Sequence, residues 1–229
     1  MTDTILLRLG VLLGLMTAGS AAAPLSASSP PPRIAAMAIG KRSGYTYTWY
    51  TDGTSSEGAY DGLARYRPLE AFDTPPGKSP EAIVGIVHFM IRPRHGNYLV
   101  YYLDGTFTRG NALHTARYSA AAGYPYSLPD GRTPADILAL AGRRAEGTLR
   151  VYAFYRDGTF SVGTTDDLAA EQPPRPFTLP EGLQPTHLAA AATNRKGELV
   201  AWYDTGVFTI GVPSAPASLQ APRPYRTGR

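Results

Sequence analysis

The segment Tyr102-Leu103-Asp104-Gly105-Thr106-Phe107 recurs along this chain. The other copies are Tyr50-Thr51-Asp52-Gly53-Thr54, Tyr155-Arg156-Asp157-Gly158-Thr159-Phe160 and a displaced form, Tyr203-Asp204-Thr205-Gly206-Val207-Phe208. The turn glycines Gly53, Gly105, Gly158 and Gly206 lie 52, 53 and 48 residues apart, and each is followed five residues later by another: Gly58, Gly110, Gly163 and Gly211. A repeat of about 50 residues with strand-like units is the signature of propeller blades or a related array. Asp-Gly between strand-like runs also reads as a hairpin, here expected as a type I′ turn with aspartate and glycine at its centre.

The copies align well beyond the turn. Upstream lies an aromatic pair, Trp49-Tyr50, Tyr101-Tyr102, Phe154-Tyr155 or Trp202-Tyr203. Before it come a glycine and a strand of small apolar residues beginning at Ile34, Ile83, Ile137 or Leu188. Downstream, an aromatic precedes a Pro/Gly turn: Phe72 before Gly77, Tyr126 before Gly131, Phe177 before Gly182. In the aromatic strands, residues two apart share a face. Trp49 therefore sides with Tyr47, and Tyr50 with Thr48, so both faces need cover. Alanine and glycine are poor strand formers. Their recurrence in the first strands implies close approach around a narrow centre. The expected fold is all-β, with approximate repeats 34–82, 83–136, 137–187 and 188–229 forming a four-bladed β-propeller. An open array or a share of a larger oligomeric ring is the alternative. The first copy departs from the rest in one place: Ser55 stands where the others carry Phe107, Phe160 and Phe208.

An opening strand such as Ile34-Ala35-Ala36, a tyrosine-rich second strand (Tyr98 to Tyr102) and the connections Gly123-Tyr124-Pro125 and Leu128-Pro129 resemble the hemopexin-like four-bladed propeller. Members of that family bind haem, matrix proteins or ions. The family's aspartate after the first strand residue is replaced here by Ala35, Val84, Leu138 and Ala189, and its cysteines are missing. The resemblance thus implies a shape and not a ligand.

Residues 1–22 read as a secretory signal peptide: Arg8, a short apolar core from Leu9 to Met16, then a small-residue tract from Ala18 to Ala23. That core is too short for a permanent transmembrane helix. A Ser/Pro-rich linker, 23–33, follows. The reading is of a secreted or periplasmic protein, and a chain without cysteine is compatible with export at this size.

Charge is placed by the repeat. Lys41, Arg42, Arg92, Arg94, Arg143, Arg144, Arg195 and Lys196, eight of the 22 lysines and arginines, all follow a first strand. A ring of blades would gather them on one rim and carry Asp52, Asp104, Asp157 and Asp204 on the other. Convergent cations attract anionic partners, and arginine forks onto carboxylate, sulfate or phosphate. The expected function is a non-catalytic, lectin-like binding module for an anionic glycan, an anionic lipid surface or an acidic protein. A protein-docking scaffold is the alternative. Nucleic acid is not an expected partner, since export removes it and no nucleic-acid motif is present. Tyr45, Tyr66, Tyr118 and Tyr124, beside turns, are candidates for a sugar-stacking platform.

No cofactor, metal or nucleophile motif is found, and His88, His95, His114 and His187 occupy unrelated repeat positions. His88, inside a first strand, reads as a packing residue. A glycoside hydrolase would need two carboxylates at a set separation, drawn from Glu57, Asp61, Asp73, Asp130, Asp136, Asp166 and Asp167. The repeated aspartates read instead as turn formers. The export reading has a direct check. N-terminal sequencing of secreted product is expected to start near Ala23, and a cytoplasmic product retaining Met1 refutes it.

Overall fold

The computed structural model describes residues 32–40, 43–92, 95–120, 122–145 and 147–228. The expected signal peptide and most of the expected linker lie outside the described residues. Among the described residues, sixteen strands form four antiparallel sheets, each a meander cut from one continuous stretch of chain. The first contains β1 (Ile34–Ile39), β2 (Thr46–Tyr50), β3 (Thr54–Ala59) and β4 (Gly62–Ala71). The second contains β5 (Ile83–Arg92), β6 (His95–Tyr102), β7 (Thr106–Gly110) and β8 (Tyr124–Pro125). The third is β9 (Ile137–Ala145), β10 (Thr148–Tyr155), β11 (Thr159–Gly163) and β12 (Gln172–Pro176). The fourth is β13 (Leu188–Thr193), β14 (Leu199–Tyr203), β15 (Val207–Val212) and β16 (Ala215–Pro224). The first strands meet in sequence, β1 with β5, β5 with β9, β9 with β13, and β13 with β1. That last contact closes a four-bladed β-propeller within one chain and excludes the open array.

The small residues of the first strands are explained at the axis. Ala36, Ala38, Ala139, Ala141, Ala190 and Ala192 are buried there. A Cβ on Gly142 would stand 2.1 Å from Val87 Cγ1, and one on Gly85 would stand 2.7 Å from Leu140 Cγ. Both are inside van der Waals contact, so no larger residue fits without moving a neighbouring blade. What space remains along the axis is water-sized at most. In every blade the register slips at the second residue of the inner strand, bulging Ala35, Val84, Leu138 and Ala189 out of the pairing. These four line the axis. The position that is aspartate in the hemopexin family is therefore an apolar plug.

Each blade buries both faces, as the parity of the second strands requires. Four cores result, one per junction. Trp49 of blade 1 packs with Tyr98, Val100 and Tyr102 of blade 2. Leu99, Tyr101 and Phe107 pack with Val151, Ala153 and Tyr155. Phe154 and Phe160 meet Leu199, Ala201 and Tyr203. Val200, Trp202 and Phe208 meet Met37, Ile39 and Leu63. A buried tyrosine needs a partner for its hydroxyl, and in each blade the hydroxyl six residues on supplies it: Tyr155 to Ser161 at 2.7 Å, Tyr203 to Thr209 at 3.2 Å.

Hydrogen bonds join the blades in the same fourfold pattern. The residue after each blade docks on the outer loop of the next. The Asp73 amide donates to the Leu113 carbonyl (2.9 Å), Ser127 to Asp166 (2.8 Å) and Thr178 to Ser214 (2.9 Å). Arg226 closes the ring by donating to Asp61 (3.0 Å) and accepting from the Leu63 amide (2.9 Å). The first aromatic of the pair reaches across too: Trp49 Nε1 to the Ala112 carbonyl at 2.8 Å, the Tyr101 hydroxyl to Thr165 at 2.9 Å, Trp202 Nε1 to Tyr60 at 3.1 Å. Phe154, without a donor, packs edge-on against Phe177 instead. The recurrent second glycines lie where this outer loop folds back. A Cβ on Gly58, Gly110, Gly163 or Gly211 would come within 2.0–2.2 Å of a backbone oxygen four residues on.

The Asp-Gly turns differ from the type I′ expectation. Their hydrogen bonds run from the Gly53, Gly105, Gly158 and Gly206 amides to the Tyr50, Tyr102, Tyr155 and Tyr203 carbonyls. The central pairs are thus Thr51-Asp52, Leu103-Asp104, Arg156-Asp157 and Asp204-Thr205. Glycine follows the pair with φ near +80°, the arrangement of a turn ending in a glycine bulge. The aspartate favours it by accepting from the amide and hydroxyl two residues on, at 3.0 and 2.7 Å for Asp52 and Thr54.

The outermost strands carry proline: Pro68, Pro125, Pro173, Pro174, Pro176, Pro216, Pro222 and Pro224. A residue without an amide hydrogen on an edge discourages further strands from pairing there. Closure yields a test. Arg226→Pro deletes the donor of the closing junction and Thr178→Pro that of the third. In a closed ring both are expected to cost about 1–3 kcal/mol in urea unfolding. A harmless Arg226→Pro beside a costly Thr178→Pro would show that the ring does not close in solution.

Candidate functional site

The turns after the first strands hold the basic residues. Arg143 and Arg144 are exposed near the end of β9, and Arg195 and Lys196 are exposed in the β13–β14 turn. The two turns sit side by side. Thr193 Oγ1 donates to the Gly142 carbonyl across the junction, and a side chain on Gly197 would run into the Arg143 guanidinium, 2.8 Å from its Nε. Arg144 Nε bonds the Gly147 carbonyl of its own hairpin at 3.1 Å. Asn194 orders the fourth-blade turn, accepting from the Lys196 and Glu198 amides at 2.9 and 3.0 Å. Four of the eight expected rim residues are therefore gathered at one junction. Lys41, Arg42 and Arg94 lie outside the described residues. Arg92 ends β5, pairing with His95, and its side chain is likewise outside the description. His88 lies on β5 with its ring 5.0 Å from Tyr98, lining the axis with Thr193 and Gly142.

The opposite end is not the simple acidic rim that the aspartates suggest. Lys78, directly after Gly77, bonds Asp104, reaches Thr106 Oγ1 at 2.7 Å and stands 4.6 Å from the centre of the Tyr102 ring. Arg132, directly after Gly131, repeats this one blade on, 2.7 Å from Asp157, 2.9 Å from Thr159 and 4.1 Å from the Tyr155 ring centre. Both cations are largely buried, with side chains 7% and 16% exposed. The hydrogen bond from Arg132, helped by those from Thr159, holds the Asp157 carboxyl down to a pKa of about 2. At Asp104 burial pushes upward, but the bonds from Lys78 and Thr106 outweigh it and the pKa is lowered. Sequence reasoning missed this clamp. Its signal was present as a cation immediately after the linker glycine.

The four candidate platform tyrosines are exposed, Tyr66 most at 51%. They fall into two places. Tyr45 and Tyr66 lie together on blade 1 with ring centroids 4.6 Å apart. On blade 2, Tyr118 has Arg117 at 5.9 Å, and Tyr124 has Arg109 at 5.7 Å and Phe107 at 5.5 Å.

The carboxylates weighed for hydrolysis are spread over different blades and occupied locally. Asp73 meets His114 Nδ1 at 2.8 Å, and Asp136 accepts from the Thr133 amide at 2.7 Å. Asp166 accepts from Thr164 at 2.7 Å, Asp167 from the Ala169 amide at 3.0 Å, and Asp61 lies 3.8 Å from Arg65. Glu57 lies 3.9 Å from Arg67. Asp130 and Asp167 both line an open groove between blades 2 and 3. Among the described residues no cluster is disposed to hold a metal, and no helix is long and apolar enough to cross a membrane.

The class these features define is the four-bladed β-propeller. No family model and no curated protein matches the chain, so nothing in its sequence ties it to the hemopexin family in particular. Among solved structures it is similar to a streptogramin B lyase, at 9% identity and a TM-score of 0.35, covering 85% of this chain and 54% of that one. It is also similar to the computationally designed Ika4 protein, at 15% identity and TM-score 0.30 over 81% and 94%. A third is YCF48 bound to a D1 peptide, at 10% and 0.31 over 78% and 48%. The chain spans about half the length of the first and third of these.

The clamp has a pH signature. Asp157 is lowered from 3.8 to about 2 in the folded protein, so its contribution is complete above about pH 4 and is lost as pH falls through about 2. Arg132→Met keeps the packing over Tyr155 and removes the charge. The melting-temperature gap between wild type and variant is expected to be largest above pH 4 and to shrink toward pH 2. A gap that does not change with pH would assign Arg132 a packing role alone.

Proposed function

We propose that this propeller is an exported, non-catalytic binding module that takes an anionic glycan, of the sulfated or carboxylated kind, through the basic turns at one end of its axis. One observation carries the reading: Arg143, Arg144, Arg195 and Lys196 are exposed on adjacent turns that Thr193 and Gly142 tie together. Cations held close on a rigid scaffold raise the local concentration of an anionic partner. Arginines also offer paired donors to sulfate or carboxylate. The inward-plugged axis supports a surface site over a channel site, because apolar Ala35, Val84, Leu138 and Ala189 offer an ion nothing. The exposed tyrosines, two of them beside arginines, support a glycan as the form of anion, since rings stack on sugar faces while cations take the charge.

The test is a binding panel of sulfated, carboxylated and neutral glycans with anionic liposomes, run across a salt series. Changing Arg143, Arg144, Arg195 and Lys196 to serine in pairs is expected to weaken anion binding stepwise and flatten its salt dependence. The fold is expected to survive, at about 0.5 kcal/mol or less per exposed residue. Neutral-sugar binding untouched by these changes would move the site to Tyr45 and Tyr66 or to Tyr118 and Tyr124. A panel without any binder would leave a protein-docking scaffold as the reading.

A further inference from the structure

Three blades are finished alike at the outer sheet edge. Phe107, Phe160 and Phe208 of the third strands stand opposite Tyr124, Arg175 and Arg223 of the edge strands. The edge residue covers the ring, at 5.5 Å for Tyr124, 4.8 Å for Arg175 and 5.8 Å for Arg223. Blade 1 has Ser55 opposite Glu70, with no ring to cover. Blade 2 departs in another way, by exchanging cation and ring. Its edge residue is the aromatic Tyr124, and its cation stands two residues past the phenylalanine, at Arg109. Blades 3 and 4 have apolar Val162 and Ile210 at that place. Arg109 is therefore carried by the third strand, with its guanidinium carbon 5.9 Å from the centre of the Phe89 ring and 5.7 Å from that of Tyr124.

This cation has no counter-charge of its own. Among the described residues, Lys78, Arg109, Arg132 and Arg150 are the lysines and arginines that are partly buried. Lys78 is paired with Asp104, Arg132 with Asp157 and Arg150 with Glu171. Arg109 joins none of the ion pairs among the described residues, and its Nε is buried without a hydrogen-bond acceptor. Asp166 of blade 3 acts on the same Tyr101 hydroxyl as Arg109. Its carboxylate is nevertheless engaged by Thr164, at 2.7 Å, and not by the arginine. A desolvated donor without a partner costs stability, and Val162 and Ile210 show that the fold needs no cation at this place. The neighbouring surface suits a sugar. Tyr124 and Tyr118 are both exposed, and the Tyr118 amide bonds the Arg109 carbonyl at 2.9 Å, which sets the two residues side by side.

We propose that the outer flank of blade 2 binds the carboxylate of an acidic sugar, a hexuronic acid, with Arg109 as the cation and Tyr124 as the platform for the sugar ring. One arginine matches the single charge of a carboxylate, which its fork engages through two parallel bonds. A phosphate brings more charge than one cation balances. The aromatic neighbours keep water from part of the guanidinium, which strengthens a bond to an anion there. That the anion belongs to a sugar rests on the glycan reading above. The site itself does not use Arg143, Arg144, Arg195 or Lys196, which belong to blades 3 and 4.

The Arg109 Nε–H signal in the amide-nitrogen spectrum is the reporter, identified by its loss in Arg109→Lys, and the Tyr124 ring signals follow binding in the variants. Methyl glucuronide is the probe, with methyl glucoside, a sulfated methyl glucoside and acetate as comparisons. Methyl glucuronide is expected to shift the reporter saturably and the neutral glucoside to leave it in place. The sulfated glucoside and acetate are expected to bind more weakly than the glucuronide, the first for its tetrahedral anion and the second for want of a ring to stack. Arg109→Gln is expected to weaken glucuronide binding by about tenfold or more, as loss of one member of a desolvated charge pair does. Arg109→Lys keeps the charge without the fork and is expected to weaken it several-fold. Arg109→Val copies blade 3 and is expected to abolish the titration without lowering the melting temperature, because it removes an unpaired donor. Serine at Arg143, Arg144, Arg195 and Lys196 is expected to leave the blade 2 titration intact, so this site and the basic turns stand or fall separately. No shift in wild type overturns the proposal, as does an undiminished titration in Arg109→Val, or binding as tight by acetate, the neutral glucoside or the sulfated one. A lower melting temperature in Arg109→Val would make the arginine a packing residue and remove the argument from its missing partner.

Discussion

Four strands can meet around one axis only if their side chains leave room for one another. Ala36, Ala38, Gly85, Ala139, Gly142, Ala190 and Ala192 leave that room. The rest of the molecule follows from the closeness they permit. With the inner strands in contact, each sheet is wedged between two others, and its second strand must be apolar on both sides. Large rings serve one side and tyrosine with small residues the other, so that a protruding face meets a receding one at every junction.

The junctions repeat one solution. A sheet buried on both faces still leaves polar groups at its outer loops, and burying these unpaired would cost about 1–3 kcal/mol each. The residue following each blade removes that cost by donating its amide to the loop of the next. An indole or phenol bonds the same loop at three junctions of the four. The fourth, at Phe154, substitutes ring packing against Phe177. The junction is thus tolerant of how its polar group is satisfied, but not of the glycine at its fold-back, where any Cβ meets a backbone oxygen.

Much of the fold was legible because its causes are local and recur. The period, the inner strands, the two-sided second strands and the exposed position of Tyr45, Tyr66, Tyr118 and Tyr124 all come from residue type and spacing. The turn geometry was misread because Asp-Gly alone does not say which residues are central. The hydrogen bond from Gly53 to Tyr50 decides that, and it depends on the register of Trp49 against Ser55. The short 3-10 turns before β5, β9 and β13 escaped notice, although Pro80, Pro134 and Pro185 each stand three residues before the strand. The Lys78 and Arg132 clamps were invisible for another reason. Their partners Asp104 and Asp157 lie 26 and 25 residues away, and only the assembled junction brings them together. Ser55 was noticed as an irregularity, but its meaning depends on the edge residue that finds no ring to cover.

Because every blade is one uninterrupted stretch of chain, no strand is exchanged between the first blade and the last. A growing chain can therefore complete three sheets, each with its junction to the one before, while the fourth is still absent. Only then does Trp202 reach back 142 residues to Tyr60. The chain entropy lost in bringing such distant ends together grows only slowly with their separation, and by that stage most of the intervening chain is already ordered. What waits for the end is a docking of finished surfaces. Until it happens, the side of blade 1 that carries Met37, Ile39 and Leu63 stands uncovered, so the interval before closure is when this protein is most exposed to aggregation and to proteases.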